Sequence, residues 1–178
     1  MEERSLSVIR ISVRNLVEFV LRSGDLDNRR TAGAKKEAMQ AGGRLHRKIQ
    51  KRMGSEYRAE VSLKHTVDEE EFKLLVEGRA DGVIEEAAGC VIDEIKCIYM
   101  DLKYLEDADP VHLAQAKCYA YFLACDRELA AMGVQITYCN IESEEVRRFR
   151  FDYSFEELEE WFLGLVHEYV KWARFQYL

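Results

Sequence analysis

The chain has 178 residues, a formal charge of −7 and an isoelectric point near 5.3, with 48% apolar residues and one proline, Pro110. That length suits one domain with a sizeable core, so residues 1–178 are expected to fold as a unit. No apolar run approaches the roughly 20 residues of a membrane helix, and Met1-Glu2-Glu3-Arg4 lacks the layout of a secretory leader, so a cytoplasmic protein without a membrane partner is expected.

Ser7 to Ile11 alternates loosely, and Ser12 then stands as the cap of a helix striped by Val13, Leu16, Val17, Val20 and Leu21. Gly24-Asp25 ends it, and Asp27 to Gly33 reads as a polar connection. A long second helix is expected from Ala34 to Met53, closed by Gly54. Gly42-Gly43 in its middle costs roughly 1 kcal/mol per glycine, which implies close packing or near approach of a ligand. Lys35, Lys36, Arg44, Arg47, Lys48, Lys51 and Arg52 crowd this helix against a single acid, Glu37. An acidic chain needs such a local basic face to meet a polyanion, although a solvated helix face would look the same. His46 lies on this helix and, taken alone, reads as a packed histidine.

Tyr57 to Thr66 alternates as a half-buried strand, Val67 to Glu71 turns, and Phe72 to Glu77 begins a strand that leads into Gly78-Arg79-Ala80-Asp81-Gly82-Val83-Ile84. Glu60 is either solvent-facing or an extra acidic group. After Glu85-Glu86-Ala87-Ala88-Gly89 comes Cys90-Val91-Ile92-Asp93-Glu94-Ile95-Lys96, which completes a hairpin. Side chains alternate along a strand, so Glu94 and Lys96 share a face with Ile92 and Ile98, while Asp93 points away. Asp81 can come level with Glu94 across the hairpin. Two carboxylates and an ammonium in apolar surroundings are costly unless they pair or hold a metal.

The loop Tyr99 to Asp109, with Asp101, Lys103 and Tyr104, lies directly beyond that strand, within reach of a substrate. Asp109-Pro110 is a strong helix start, and the helix is expected to reach Asp126, with Gln115 and Tyr119 on one face with Phe122 and Leu123. Ala131 to Ile141 and Val146 to Tyr153 read as two final strands. Ser154 caps a last helix through Trp161, Phe162, Leu165, Val166, Tyr169 and Trp172. No Gly-x-x-x-x-Gly-Lys-Ser/Thr loop is present. Five cysteines without Cys-x-x-Cys spacing argue for reduced, buried thiols.

Gly78-x-x-Asp81-Gly82, then Glu94-x-Lys96, then Gln115-x-x-x-Tyr119 resembles the PD-(D/E)XK nuclease superfamily, in particular its RecB-type branch. Gly42-Gly43-Arg44-Leu45-His46 resembles the helix on which that branch carries a histidine. The resemblance implies an α/β (α+β) restriction-endonuclease-like core, with a mixed central sheet flanked by helices. It also implies a Mg²⁺- or Mn²⁺-dependent DNA nuclease, of exonuclease type, with single-stranded DNA or DNA ends as its partner, acting in DNA repair or recombination. Asp81, Glu94 and the Ile95 carbonyl would hold the metal, His46 a second ion, and Lys96 would orient the attacking water. Gln115 and Tyr119 would position the DNA strand, with Arg44, Arg47 and Lys48 as basic contacts. Some relatives in that branch carry an iron–sulfur cluster with one cysteine ahead of these motifs. Here the first cysteine is Cys90, so no iron–sulfur cluster is expected.

The order of elements, with Ile9 to Phe19 at one end and Arg174 to Leu178 at the other, is similar to the N-terminal nuclease domain of bacterial DinG/Rad3-type DNA helicases. A helicase motor domain is therefore an implied partner. Two alternatives stay open: a nuclease fold retained to hold DNA or to dock a helicase, and an ion-pair network in an unrelated α/β domain.

Overall fold

A computed structural model describes residues 6–21 and 32–177, with backbone alone at 32–38 and 177. The helix end at Gly24-Asp25, the connection before residue 32, the side chains of Lys35, Lys36 and Glu37, and Leu178 lie outside the described residues. The described chain runs β1 (Ser7–Ser12), α1 (Val13–Leu21), α2 (Ala32–Arg52), β2 (Tyr57–Asp68), β3 (Phe72–Glu86), β4 (Gly89–Ile98), α3 (Pro110–Arg127), β5 (Ala131–Asn140), β6 (Val146–Ser154) and α4 (Phe155–Tyr177). The six described strands form one mixed sheet flanked by helices, the architecture expected from the sequence.

β3 is one 15-residue strand, in which the segment from Phe72 runs on through Asp81. Antiparallel β2 covers one of its edges from Lys73 to Ile84. The other edge is shared: β1 pairs in parallel with Phe72 to Glu77, and β4 pairs antiparallel with Gly82 to Glu86. Gly78 to Asp81 therefore falls in a gap between two neighbours, and α1 leaves β1 at that gap. Beyond Asp93, β4 parts from β3 and continues against parallel β5. The sheet forks there.

α1, α3 and α4 cover one face, where Val13, Leu16, Leu74, Val76, Ile92, Phe122, Ile136 and Phe162 are buried together. α3 is buried almost all round, so its apolar residues show no single stripe. Its start is fixed as its sequence dictates: the Asp109 carboxylate accepts the Val111 N–H at 2.8 Å, with Pro110 following. α4 opens with a reciprocal cap, in which the Ser154 hydroxyl accepts the Glu157 N–H and the Glu157 carboxylate accepts the Ser154 N–H. α2 lies on the opposite face through Leu45 and Ile49 against Ile95 and Cys139. Gly42 faces Cys97, where a Cβ would make an ordinary contact at 3.6 Å, so packing there does not require glycine. All five cysteines are free thiols, but Cys97 and Cys125 are only half-buried, against the expectation that all would be buried.

Candidate active site

The fork in the sheet decides what Asp81 does. The β3–β4 ladder ends at Gly82 and Asp93, and two residues further along β4 the Ile95 N–H donates to Asp81 Oδ2 at 2.7 Å. A side chain thus replaces a strand as the partner of Ile95. Its other oxygen, Oδ1, lies 3.4 Å from His46 Nε2. Glu94 Oε1 accepts from the Asp81 N–H at 3.4 Å, and both residues line one cleft.

His46 reaches the fork from α2, half-buried. Its Nε2 also stands 3.5 Å from Glu60 Oε1, but neither carboxylate contact has hydrogen-bond geometry, and this buried nitrogen has no hydrogen-bond partner. A buried ring nitrogen without a partner is uncommon and needs an explanation. His46, Glu60 and Asp81 each offer one ligand atom within 4.8 Å of the others.

Glu60 is the acid that the alternation of β2 placed toward solvent. It stands opposite Asp81 between the pairs Ala59–Gly82 and Val61–Ala80, with φ of 56°. That left-handed conformation is strained for a residue with a Cβ and uncommon inside a strand. Two side chains hold it: Gln50 Nε2 donates to Glu60 Oε1 and to the Asp81 carbonyl, both at 2.9 Å, and Arg79 Nε lies 2.9 Å from Glu60 Oε2. The sequence carries no local sign of this backbone state. Its one accessible clue is the antiparallel register that sets Glu60 across from Asp81.

Glu94 and Lys96 do share a face, toward α3. Lys96 Nζ accepts no bond; it donates to Gln115 Oε1 at 2.9 Å and lies 3.7 Å from Glu94 Oε2. Gln115 thereby fixes the ammonium. Tyr119, one turn on, packs into the space left by Gly78, and Tyr57 does the same at Gly82. The two glycines of Gly78-x-x-Asp81-Gly82 are spaces for tyrosine rings. Asp93 faces the other way, fully buried, and accepts from the Tyr57 hydroxyl at 2.8 Å, Thr137 Oγ1 at 2.6 Å and Gln135 Nε2 at 3.2 Å.

Burial raises the pKa of Glu94 well above the usual carboxylate range, and the charge of Asp81 adds to the rise. Burial likewise raises Asp81, against the opposing pull of the Ile95 N–H and of His46. Burial, then the Asp93 carboxylate, pushes Tyr57 upward, and burial does the same to Tyr119. Asp81, its carboxyl held above the ordinary range, and Glu60, both facing a His46 nitrogen without a hydrogen bond, make a donor set that gains from a cation. Carboxylate oxygens and one imidazole suit a divalent ion such as Mg²⁺ or Mn²⁺.

His46, Asp81, Glu94 and Lys96 line a cleft of about 400 Å³ with Arg14 and Glu18 of α1, Arg79, Ile95, Val111, His112, Gln115 and Tyr119, and Glu60 lies outside that lining. Asp81, Glu94, Lys96, His46, Ile95, Gln115 and Tyr119 are thus brought together. Arg44, Arg47 and Lys48 are not: they are exposed on α2 outside the cleft lining, and Lys48 is engaged by Glu144 at 2.8 Å. The guanidinium groups in the cleft come instead from Arg14 and Arg79, neither of which stands out in a basic run.

No protein-family profile matches the chain, and no curated protein matches it. Among solved structures, SSO0001 is similar over 91% of this chain and 75% of its own, at 17% identity and a TM-score of 0.60. That likeness shows a shared fold. An alkaline exonuclease, LHK-Exo, from Laribacter hongkongensis aligns over 95% of each chain at 12% identity with a TM-score of 0.39. No helix among the described residues is long and apolar enough to cross a membrane.

Proposed function

We propose that this chain is a metal-dependent nuclease of the RecB-like PD-(D/E)XK type, a single domain that hydrolyses DNA phosphodiester bonds at the fork between β3 and β4. The observation that carries it is the buried His46 Nε2, without a hydrogen-bond partner and facing carboxylates of two strands. Asp81, Glu94 and His46 would hold Mg²⁺ or Mn²⁺, with Glu60 as a further acid on the His46 side. A bound divalent ion supplies Lewis-acid stabilisation of the phosphate and lowers the pKa of water. Lys96, fixed by Gln115, orients the attacking water and offsets charge that develops on the phosphate. Asp81 ties the Ile95 peptide to the site, so one carboxylate serves both the fold and the chemistry. Arg14 and Arg79 at the cleft, paired with Glu18 and Glu60, would exchange those carboxylates for phosphates of the substrate backbone.

The test is cleavage of single- and double-stranded DNA with Mn²⁺ or Mg²⁺, using Glu94→Ala and Lys96→Ala. Each is expected to lower the rate by roughly 100-fold or more. Undiminished cleavage by either variant would remove the proposal. A second reading is a nuclease-fold module that holds DNA or docks a helicase motor without much cleavage of its own. The net charge of −7 and the pairing of Lys48 with Glu144 favour it. Mn²⁺ binding without cleavage would select that reading.

A further inference from the structure

The basic residues of α2 that stay outside the cleft meet the far end of the sheet instead. Arg44, Lys48 and Arg52 recur every four residues, so they form one ridge with steps of about 6 Å along the helix. Arg44 and Lys48 line a separate groove of about 360 Å³ with Ala41, Leu45, Ile141 and Glu144. β6 extends the ridge beyond the end of α2: Arg148, opposite Thr137 of β5, has its Nη2 3.7 Å from the Met53 sulfur. Arg44, Arg52 and Arg148 are exposed, and none of them forms an ion pair among the described residues. Burial raises the Cys139 thiol, Glu144 adds to the rise, and Arg52, Arg148 and Lys48 oppose it, so these four charges surround the end of β5.

One acid is set against this ridge. Of Glu142, Glu144 and Glu145 in the turn 141–145, Glu144 meets Lys48, both carboxylate oxygens accepting from Nζ at 2.8 and 3.1 Å. The turn is built to present it. Buried Asn140 accepts the N–H groups of Glu142 and Ser143 on Oδ1, its carbonyl accepts that of Glu144, and Glu144 takes a left-handed φ of 60°. That backbone is uncommon for a residue with a Cβ. From this arrangement we infer that Arg44, Lys48, Arg52 and Arg148 form a phosphate-binding ridge for a nucleic-acid backbone outside the cleft, with Glu144 held on it in the place of a phosphate. The inference rests on the nuclease reading for the kind of polyanion, and it adds a second contact surface with a built-in competitor. Four cations against one engaged carboxylate suit a polyanion, and an ammonium takes a carboxylate or a phosphate oxygen alike. An incoming backbone must displace Glu144, so the turn lowers affinity and loss of its charge raises it.

The test uses the full chain, with Arg52→Ala/Arg148→Ala to remove half of the ridge and Glu144→Gln to remove the competitor. All three side chains are exposed, and thermal melts check that the fold is kept. Fluorescence anisotropy with a labelled duplex and a labelled oligothymidylate, in Ca²⁺ to suppress turnover and over a salt series, reads binding. The double variant is expected to raise Kd roughly tenfold and to flatten the slope of log Kd against log salt by about 2, close to one per lost phosphate contact. Glu144→Gln is expected to lower Kd several-fold and to steepen that slope by about 1. Glu160→Gln on α4 makes the same change of net charge away from the ridge and should leave Kd unaltered. A loss confined to the duplex or to the single strand identifies the form of backbone held there. A Kd and slope indifferent to the ridge substitutions, or an equal gain from Glu160→Gln, overturns the ridge. Hydrolysis of bis(p-nitrophenyl) phosphate with Mn²⁺ reads the cleft alone and should be the same in wild type and variants. Wild type that leaves this diester intact overturns the nuclease reading instead, while the binding result still stands on its own.

Discussion

The Tyr119 hydroxyl lies 2.5 Å from the point that a Cβ at Gly78 would occupy, with its Cε1 and Cζ at 3.1 and 3.2 Å. The ring is itself buried and has a backbone hydrogen bond with Arg79, so it cannot swing away freely. Gly78→Ala is therefore expected to cost about 1–3 kcal/mol in urea unfolding. In a Tyr119→Ala background most of that cost should vanish, because the two changes share one contact. An equal cost in both backgrounds would show that something other than the tyrosine excludes a side chain at position 78.

Divalent metal should stabilise the folded chain. Binding to the native state alone contributes about 2.7 kcal/mol at a metal concentration of 100 times Kd. Thermal melts with and without Mn²⁺ are expected to show a clear upward shift for wild type. The shift should shrink for His46→Ala and be lost for Asp81→Asn/Glu94→Gln. A shift in the double variant equal to that of wild type would place the ion elsewhere.

Much of this site was legible because each local signal had a physical cause that survives folding. The hairpin alternation set Glu94 and Lys96 on one face, and Asp109-Pro110 and Ser154 mark helix starts by satisfying N–H groups that the helix cannot. The fork was not legible. That β1 and β4 share one edge of β3 depends on which strands meet, and no residue near Gly78 records it. Glu60 was legible only as one of two alternatives, since alternation describes ordinary strand backbone and its φ of 56° is held by Gln50 and Arg79 from elsewhere. The basic residues of α2 were conspicuous as a run, yet the cleft takes its guanidinium groups from Arg14 and Arg79.

The raised carboxylates imply a pH dependence for the metal-free protein. Glu94 is held above its usual value first by burial and then by Asp81, so the folded state binds its proton more tightly than the unfolded state. Stability from that proton is fully present below the ordinary value of 4.5 and is lost as pH rises through the raised one. In EDTA, the melting temperature is expected to fall from the usual carboxylate range toward neutrality. Glu94→Gln, neutral throughout, should flatten that slope and melt higher than wild type near neutral pH, while abolishing cleavage. A wild-type slope that the substitution leaves untouched would mean that other groups set it.

Glu60 offers the sharpest separation of fold from function. Its left-handed backbone costs about 1–2 kcal/mol, which glycine would not incur. Against that, Glu60→Gly loses the exposed hydrogen bond from Gln50 and the pair with Arg79, in which the side chains are 41% and 65% exposed, together worth about 1–2 kcal/mol. The two effects nearly cancel, and unfolding free energy is expected to change by less than about 1 kcal/mol. Metal response is expected to behave differently, because the carboxylate facing His46 is gone: Mn²⁺ affinity should fall roughly tenfold, in line with loss of a group that supports a ligand. Glu60→Gln keeps the shape and the strain but not the charge, and should lose as much affinity without the gain in backbone freedom. Intact Mn²⁺ affinity in both variants would make Glu60 a partner of Gln50 and Arg79 only and would leave its strained conformation without a functional cause.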